Sequence, residues 1–250
     1  MSTAEVVFER RGAVAVVTVS DPERRNALTL DLSQALADTI AACEADAGIG
    51  AVVVTGAAPA FCAGADLTQL GASREEGLRR IYQGFLAVAN CSLPTVAAVN
   101  GAAVGAGLNL ALACDLRVAG PKARFDARFL DLGIHPGGGM TWMLQRLVGP
   151  QTAKAMVLFG EILDADAALR NGLVWSTAEE AVAAAVELAG KAASAPRELS
   201  VTTKSSMRVT AGLGAHGDAV ETELVPQVAS MDSPAFAERL AALKSRIHRR

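Results

Sequence analysis

The chain has 250 residues, 51% of them apolar and 20% charged, with a net charge of −3. That is enough apolar material for a sizeable core, and it excludes a disordered chain. The slight acidity argues against a nucleic-acid partner.

The N-terminal stretch MSTAEVVFERRG carries acids and no long apolar run, so it does not read as a signal peptide. The four cysteines, Cys43, Cys62, Cys91 and Cys114, sit in apolar surroundings and form no CxxC pair, which predicts reduced thiols in a cytoplasmic protein. Residues 95–114 are uncharged, but their glycines and asparagines break the run, so a buried core and no membrane span is expected.

In chain order, Val6 to Arg10 and Val14 to Val19 around Arg11-Gly12 predict a β-hairpin. The segment SDPERRNALTL reads as a loop, and its Arg24-Arg25 pair suits either a solvated loop or a phosphate-binding one. Leu28, Leu32, Leu36, Ile40 and Cys43 predict a helix over 29–46. Ala51 to Thr55 reads as a buried strand leading to a small-residue corner, Ala63-Gly64-Ala65, followed by Asp66 and Leu67. Taken alone such a corner is an ordinary tight turn. Ser73 with Glu76 forms a capping box for the next helix, whose apolar face includes Leu78, Ile81, Tyr82, Phe85 and Val88.

The stretch PTVAAVNGAAVGAGLNLALACD then gives a buried strand from Thr95 to Val99, a break at Asn100-Gly101, a glycine-rich corner at Gly105 and Gly107, and an apolar helix carrying Asn109. A strand, a corner of small residues and a helix start suit an anion or a developing negative charge, because the first helical N–H groups have no partner inside the helix. Leu116 to Ala119 reads as a strand, and helices are expected after the Pro136–Gly139 run, over 151–159 and over 164–170. Leu173 to Trp175 is expected as a last strand, with Thr177 and Glu180 capping the alanine-rich helix that follows. From Pro196 no strand pattern appears. Three helices are expected, the last opened by Ser233-Pro234, with Phe236, Leu240, Leu243 and Ile247 as its apolar face and a basic tail of Lys244, Arg246, His248, Arg249 and Arg250. The chain therefore divides into an α/β part over 1–195 and a helical region over 196–250.

The histidines are scattered, and no HExxH or paired-cysteine spacing points to a metal site. No GxSxG elbow and no Walker loop is present. Gly105-Ala106-Gly107 with Asp126 is a poor dinucleotide fingerprint, since Leu110 stands where the third glycine belongs; a dinucleotide-dependent oxidoreductase is the weakest alternative. The two small-residue corners make better sense together. Backbone N–H groups converging from both would form an oxyanion hole for a carbonyl oxygen.

Four segments, PERRNAL at 22–28, AFCAGADL at 60–67, VNGAAVGAGLNLALACD at 99–115 and LGIHPGGG at 132–139, resemble in order and spacing the enoyl-CoA hydratase/isomerase, or crotonase, superfamily. The resemblance implies an α/β fold, a spiral of ββα units, with a C-terminal helical region that packs homotrimers or dimers of trimers. It implies an acyl-CoA thioester as ligand, with coenzyme A present as part of the substrate and no separate cofactor. The Ala65 and Ala106 N–H groups would hold the thioester carbonyl; the family usually has glycine at the second position. Arg24, Arg25 and Ala27 would line the nucleotide, Ala63, Gly64, Asp66 and Leu67 the adenine and pantetheine path, with Gly105 and Gly137 in the pocket and Lys244 or Arg246 reaching the phosphates. The departures bear on activity. Asn109 and Phe129 stand where hydratases carry their two glutamates, and Gly137 lies near where an isomerase carries its acid. Loss of one general acid or base costs roughly 10²–10⁴-fold, so hydration is expected to be weak or absent. That leaves either an enzyme with other acid/base residues or a non-catalytic acyl-CoA binding protein. His135 is the tempting substitute, although a histidine bonded within its own loop is the plainer expectation. Phe129 and Trp142 fit a dry acyl pocket or simple core packing.

Overall fold

In the computed structural model, which describes residues 4–69 and 73–247, strands β1 (Glu5–Arg11) and β2 (Val14–Ser20) form the expected antiparallel hairpin. Helix α1 (Leu30–Ala45) starts at Thr29, whose hydroxyl accepts the Leu32 N–H at 3.1 Å. Strand β3 (Ala51–Gly56), helix α2 (Arg74–Asn90) and strand β4 (Thr95–Val99) follow, and the Ser73 hydroxyl caps α2 through the Glu76 N–H. Next come β5 (Ala102–Val104), α3 (Ala106–Ala113), β6 (Leu116–Ala119) and β7 (Arg124–Asp126). Helix α4 (Met140–Leu158) is kinked at Gly149, whose φ of 74° and ψ of 168° are not helical, just before Pro150. Strand β8 (Leu163–Asp164), helix α5 (Ala165–Arg170), strand β9 (Ser176–Thr177) and helix α6 (Ala181–Ala193) complete the α/β part.

The main sheet has the order β1-β2-β3-β4-β6-β9 and is parallel from β2 onward. Strands β2, β3 and β4 are largely apolar on both faces. Ala15, Val17, Val52, Val54, Ala97 and Val99 join the core formed with α1, α2 and α3, whereas Val14, Val16, Val53, Val96 and Val118 pack against α6. Burial on both sides explains why these strands read as unbroken apolar runs. A second layer holds β5-β7-β8 and is extended by the single parallel bridges Leu28–Ala65 and Cys62–Ala103. Each turn of the chain thus passes through the main sheet, touches the second layer and returns by a helix: β2, Leu28 and α1; β3, Cys62–Ala65 and α2; β4, β5 and α3; β6, β7 and α4. This is a spiral of ββα units.

Three expectations need correction. The corner after β4 does not run straight into a helix; β5 intervenes. The last strand is not Leu173–Trp175. Leu173 and Val174 are buried at the end of α5, with their N–H groups donating to Ala168 O; the Trp175 N–H makes the first bond to β6, to Arg117 O at 2.9 Å, and the strand itself is Ser176–Thr177. Thr177 does not cap α6, because it is committed to that pairing opposite Ala119; Glu180 occupies the cap with no side-chain hydrogen bond.

The C-terminal helices are α7 (Arg197–Thr210), α8 (His216–Met231) and α9 (Pro234–Ile247). Cations of α7 fasten it to the α/β part. Lys204 Nζ donates to Leu93 O at 2.7 Å and to Asp115 at 2.6 Å, Arg197 Nε to Ile49 O at 2.9 Å, and Arg208 to Ala89 O and Cys91 O. Helix α8 buries none of its residues, and Val220, Leu224, Val225, Val228 and Met231 are exposed along it. His248, Arg249 and Arg250 of the basic tail, and the side chains of Arg246 and Ile247, lie outside the described residues.

Candidate active site

The two corners are built by different devices. In the first, the chain from Arg25 to Leu28 runs parallel to 63–66. The Ala63 N–H donates to Arg25 O, Leu28 N–H to Gly64 O and Asp66 N–H to Leu28 O, at 2.8–2.9 Å. In a parallel pairing, successive residues direct their N–H groups to opposite sides. With Gly64 and Asp66 turned toward Leu28, the Ala65 N–H points away from it. Asn26 locks this arrangement from beneath. It is wholly buried with φ 60°, its Nδ2 donates to Ala57 O at 2.7 Å and Ala60 O at 2.8 Å, and its Oδ1 accepts the Asp21 N–H at 2.9 Å.

The second corner is Gly105, at φ 51° and ψ −114°, a conformation open to glycine. Its N–H donates to Asp126 O at 2.9 Å, and α3 then begins at Ala106. The first N–H of a helix has no intrahelical acceptor. Ala106 itself has ordinary helical backbone, so an alanine there carries no strain. Glycine at 107 brings the helix start close: a Cβ there would fall 2.7 Å from the Cys62 carbonyl carbon. The start of α3 therefore packs directly on the loop that leads to Ala65. Among the described residues neither the Ala65 nor the Ala106 N–H donates to a protein acceptor.

Both alanines line one pocket of about 870 Å³, together with Arg25, Ala63, Gly64, Leu67, Gly105, Asn109, Phe129, His135 and Gly137. Arg24, Ala27, Asp66 and Lys244 do not line it. Arg24 lies 3.9 Å from Asp66, and the Thr68 hydroxyl, with Arg24 further off, holds the Asp66 carboxyl below its ordinary value. Asn109 lies one turn into α3 and is 1% exposed; its Nδ2 donates to Gly137 O at 3.0 Å, while its Oδ1 is buried with no partner. Phe129 packs against the core. The His135 Nδ1 hydrogen-bonds Pro136 O at 2.7 Å, within its own loop. A carbonyl only accepts, so Nδ1 carries the proton. Asp126 and Asp131 do not line the pocket; Asp126 is buried and ion-paired with Arg128.

Sequence reasoning missed Arg74, Leu78 and Tyr82 of α2 as pocket residues, along with Leu132 and Ile134. Their spacing signalled only a helix face or an apolar loop. Trp142, by contrast, is 59% exposed and is not a pocket residue. No aspartate or glutamate is among the described residues that line the pocket. Among the described residues no cluster of His, Cys, Asp and Glu is placed to hold a metal ion. No described helix is long and apolar enough to cross a membrane.

The sequence pattern of the enoyl-CoA hydratase/isomerase family matches residues 9–240. The chain belongs to the enoyl-CoA hydratase/isomerase family. It is 56% identical over 242 residues to the Mycobacterium tuberculosis protein named "Probable enoyl-CoA hydratase EchA14", covering 93% of this chain and 94% of that one. Among solved structures it is similar to the enoyl-CoA hydratase from Bacillus anthracis, at TM-score 0.90 and 28% identity over 97% of this chain and 96% of that one. It is also similar to DspI from Pseudomonas aeruginosa, at TM-score 0.90 and 32% identity over 98% and 96%. Membership in a family of acyl-CoA enzymes leaves the dinucleotide reading without support. In this member of the enoyl-CoA hydratase/isomerase family, the pocket side of α3 presents an amide and the chain after β7 presents a phenyl ring.

Proposed function

We propose that this protein binds acyl-CoA thioesters in the pocket between β5, α2 and α3, with the thioester carbonyl accepting from the Ala65 and Ala106 N–H groups. The observation that carries this reading is the pair of uncommitted backbone N–H groups on one pocket wall. Arg25 and Arg74 at the same pocket supply cations of the kind that hold phosphates, with Arg24 beside it on Asp66. Lys244 on α9 is assigned to the coenzyme A phosphates on family resemblance alone.

Hydration of a 2-enoyl-CoA is weak or absent. An amide does not titrate near neutral pH, and Asn109 already donates to Gly137 O. Phe129 fills the second position without an acid. We favour an enzyme acting on acyl-CoA through other acid/base groups over a protein that only binds. Titrating a panel of acyl-CoAs by calorimetry, with mass spectrometry of the same mixtures, separates the two: product identifies a reaction, and binding without product supports the binding protein. Absence of any acyl-CoA binding would sink both.

The exposed apolar side chains of α8 fit burial against further copies of the chain, a homotrimer or a dimer of trimers. A monomer by light scattering would refute this. Four buried free thiols fit a reducing compartment such as the cytoplasm.

A further inference from the structure

Among the described residues that line the pocket, the ionisable side chains are those of Arg25, Arg74, Tyr82, Arg128 and His135. Arginine stays charged and has no lone pair to offer, and a phenol must first lose its own proton to act as a base. Histidine differs. The His135 Nδ1 carries its proton in the bond to Pro136 O, which leaves Nε2 with a basic lone pair and no partner among the described residues. The loop that carries His135 is pinned on both sides of it. The Ile134 N–H donates to Phe129 O at 3.0 Å, and Gly137 O accepts from Asn109 Nδ2 at 3.0 Å and from the Met140 N–H at 3.3 Å. Asn109 is buried and stands three residues after Ala106, a rise of about 4.5 Å along α3. One helix therefore offers the carbonyl donor at its start and holds the histidine loop a turn later. His135 is itself exposed, so a proton on its ring exchanges with water.

We infer that His135 Nε2 is the catalytic base that takes a proton from the α-carbon of the bound thioester, with Asn109 as the residue that positions its loop. The inference rests on the acyl-CoA reading above and deepens it by naming the group that moves the proton. The Cα–H bond breaks, its proton goes to Nε2, and its electron pair becomes an enolate whose oxygen accepts from the Ala65 and Ala106 N–H groups. Return of a proton from Nε2 to Cα closes the cycle, with no oxidant, reductant or co-reactant. A positioned group of this kind contributes about 10²–10⁴-fold. Asn109 cannot take the proton itself, and serves by holding the loop of the residue that does.

The test is hydrogen–deuterium exchange at the α-carbon of butyryl-CoA, a thioester with no double bond to hydrate. The full chain and His135→Ala are each incubated with it in deuterated water, and proton NMR follows loss of the α-methylene signal. The native protein is expected to exchange these protons faster than buffer does, and His135→Ala to be at least about 10²-fold slower. Added imidazole should restore part of the lost rate, while calorimetric affinity for butyryl-CoA and thermal midpoint stay unchanged. A structural role for His135 would not give that rescue. No exchange by the native protein, undiminished exchange by His135→Ala, or a loss that imidazole does not restore overturns the inference while leaving acyl-CoA binding intact. Failure of the native protein to bind butyryl-CoA would instead overturn the acyl-CoA reading, and this inference with it.

Discussion

Replacing Ala106 with proline removes one proposed carbonyl donor and little else. Ala106 is the first residue of α3, where its N–H has no partner among the described residues. Proline is tolerated at that helix position because the missing N–H was never part of the ladder. The preceding Gly105, at φ 51° and ψ −114°, lies near the mirror image of the extended conformation that residues before proline prefer, which glycine adopts freely. Stability should therefore change by less than about 1 kcal/mol. A hydrogen bond to an uncharged carbonyl contributes about 0.5–1.5 kcal/mol, so butyryl-CoA should bind about two- to twelvefold more weakly. Where a reaction places negative charge on that oxygen, the loss grows to about 2.7–4 kcal/mol, or roughly a hundred- to thousandfold in turnover. Calorimetry with butyryl-CoA and free coenzyme A reads the effect, since only the former carries the carbonyl. Ala106→Gly, which keeps the N–H, should behave as the native chain. A folded Ala106→Pro protein that binds butyryl-CoA as tightly as the native one would refute the assignment.

Asn26→Ala should destabilise the fold by about 2–4 kcal/mol in denaturant unfolding, since it strands buried partners at Asp21, Ala57 and Ala60 and puts alanine at φ 60°. A loss under about 0.5 kcal/mol would show that Asn26 does not hold the Ala65 corner. Stability should also fall in alkali. Burial pushes the Cys43 and Cys91 thiols up to about 11 and those of Cys62 and Cys114 up to about 12, against an ordinary value of 9.0. Above that value the unfolded chain releases protons that the folded chain retains. Each thiol therefore contributes a decline of about 1.4 kcal/mol per pH unit from pH 9 until its folded value is reached. Unfolding followed between pH 8 and pH 10.5 checks this, and Cys62→Ala should flatten the slope. An unchanged midpoint across that range would contradict it.

The helices were legible because each carries its own evidence. Thr29 and Ser73 cap α1 and α2, and Leu32, Leu36 and Ile40 recur on one face. The second layer was not. β5, β7 and β8 are two or three residues long, and the pairings at Leu28 and Cys62 are single bridges. No periodicity can be read in segments that short. The spiral repeat was hidden for the same reason, and entered only through the family resemblance. In the site, the corners at 63–65 and 105–107 announced themselves through small residues. Asn26 did not, because its hydrogen bonds reach residues more than thirty positions away. Tyr82 was masked by its helical spacing: an aromatic on an apolar stripe reads as core, and only the missing Cβ at Gly137 shows where its hydroxyl lies.

The central claim is an acyl-CoA pocket without the acid/base pair for hydration, and crotonyl-CoA tests it most directly. Its binding is measured by calorimetry, and its hydration by loss of the enoyl-thioester absorbance in the same solutions. Saturable binding with hydration at least 10²-fold slower than in a relative carrying both glutamates is the result expected. Rapid hydration by the purified protein would contradict it.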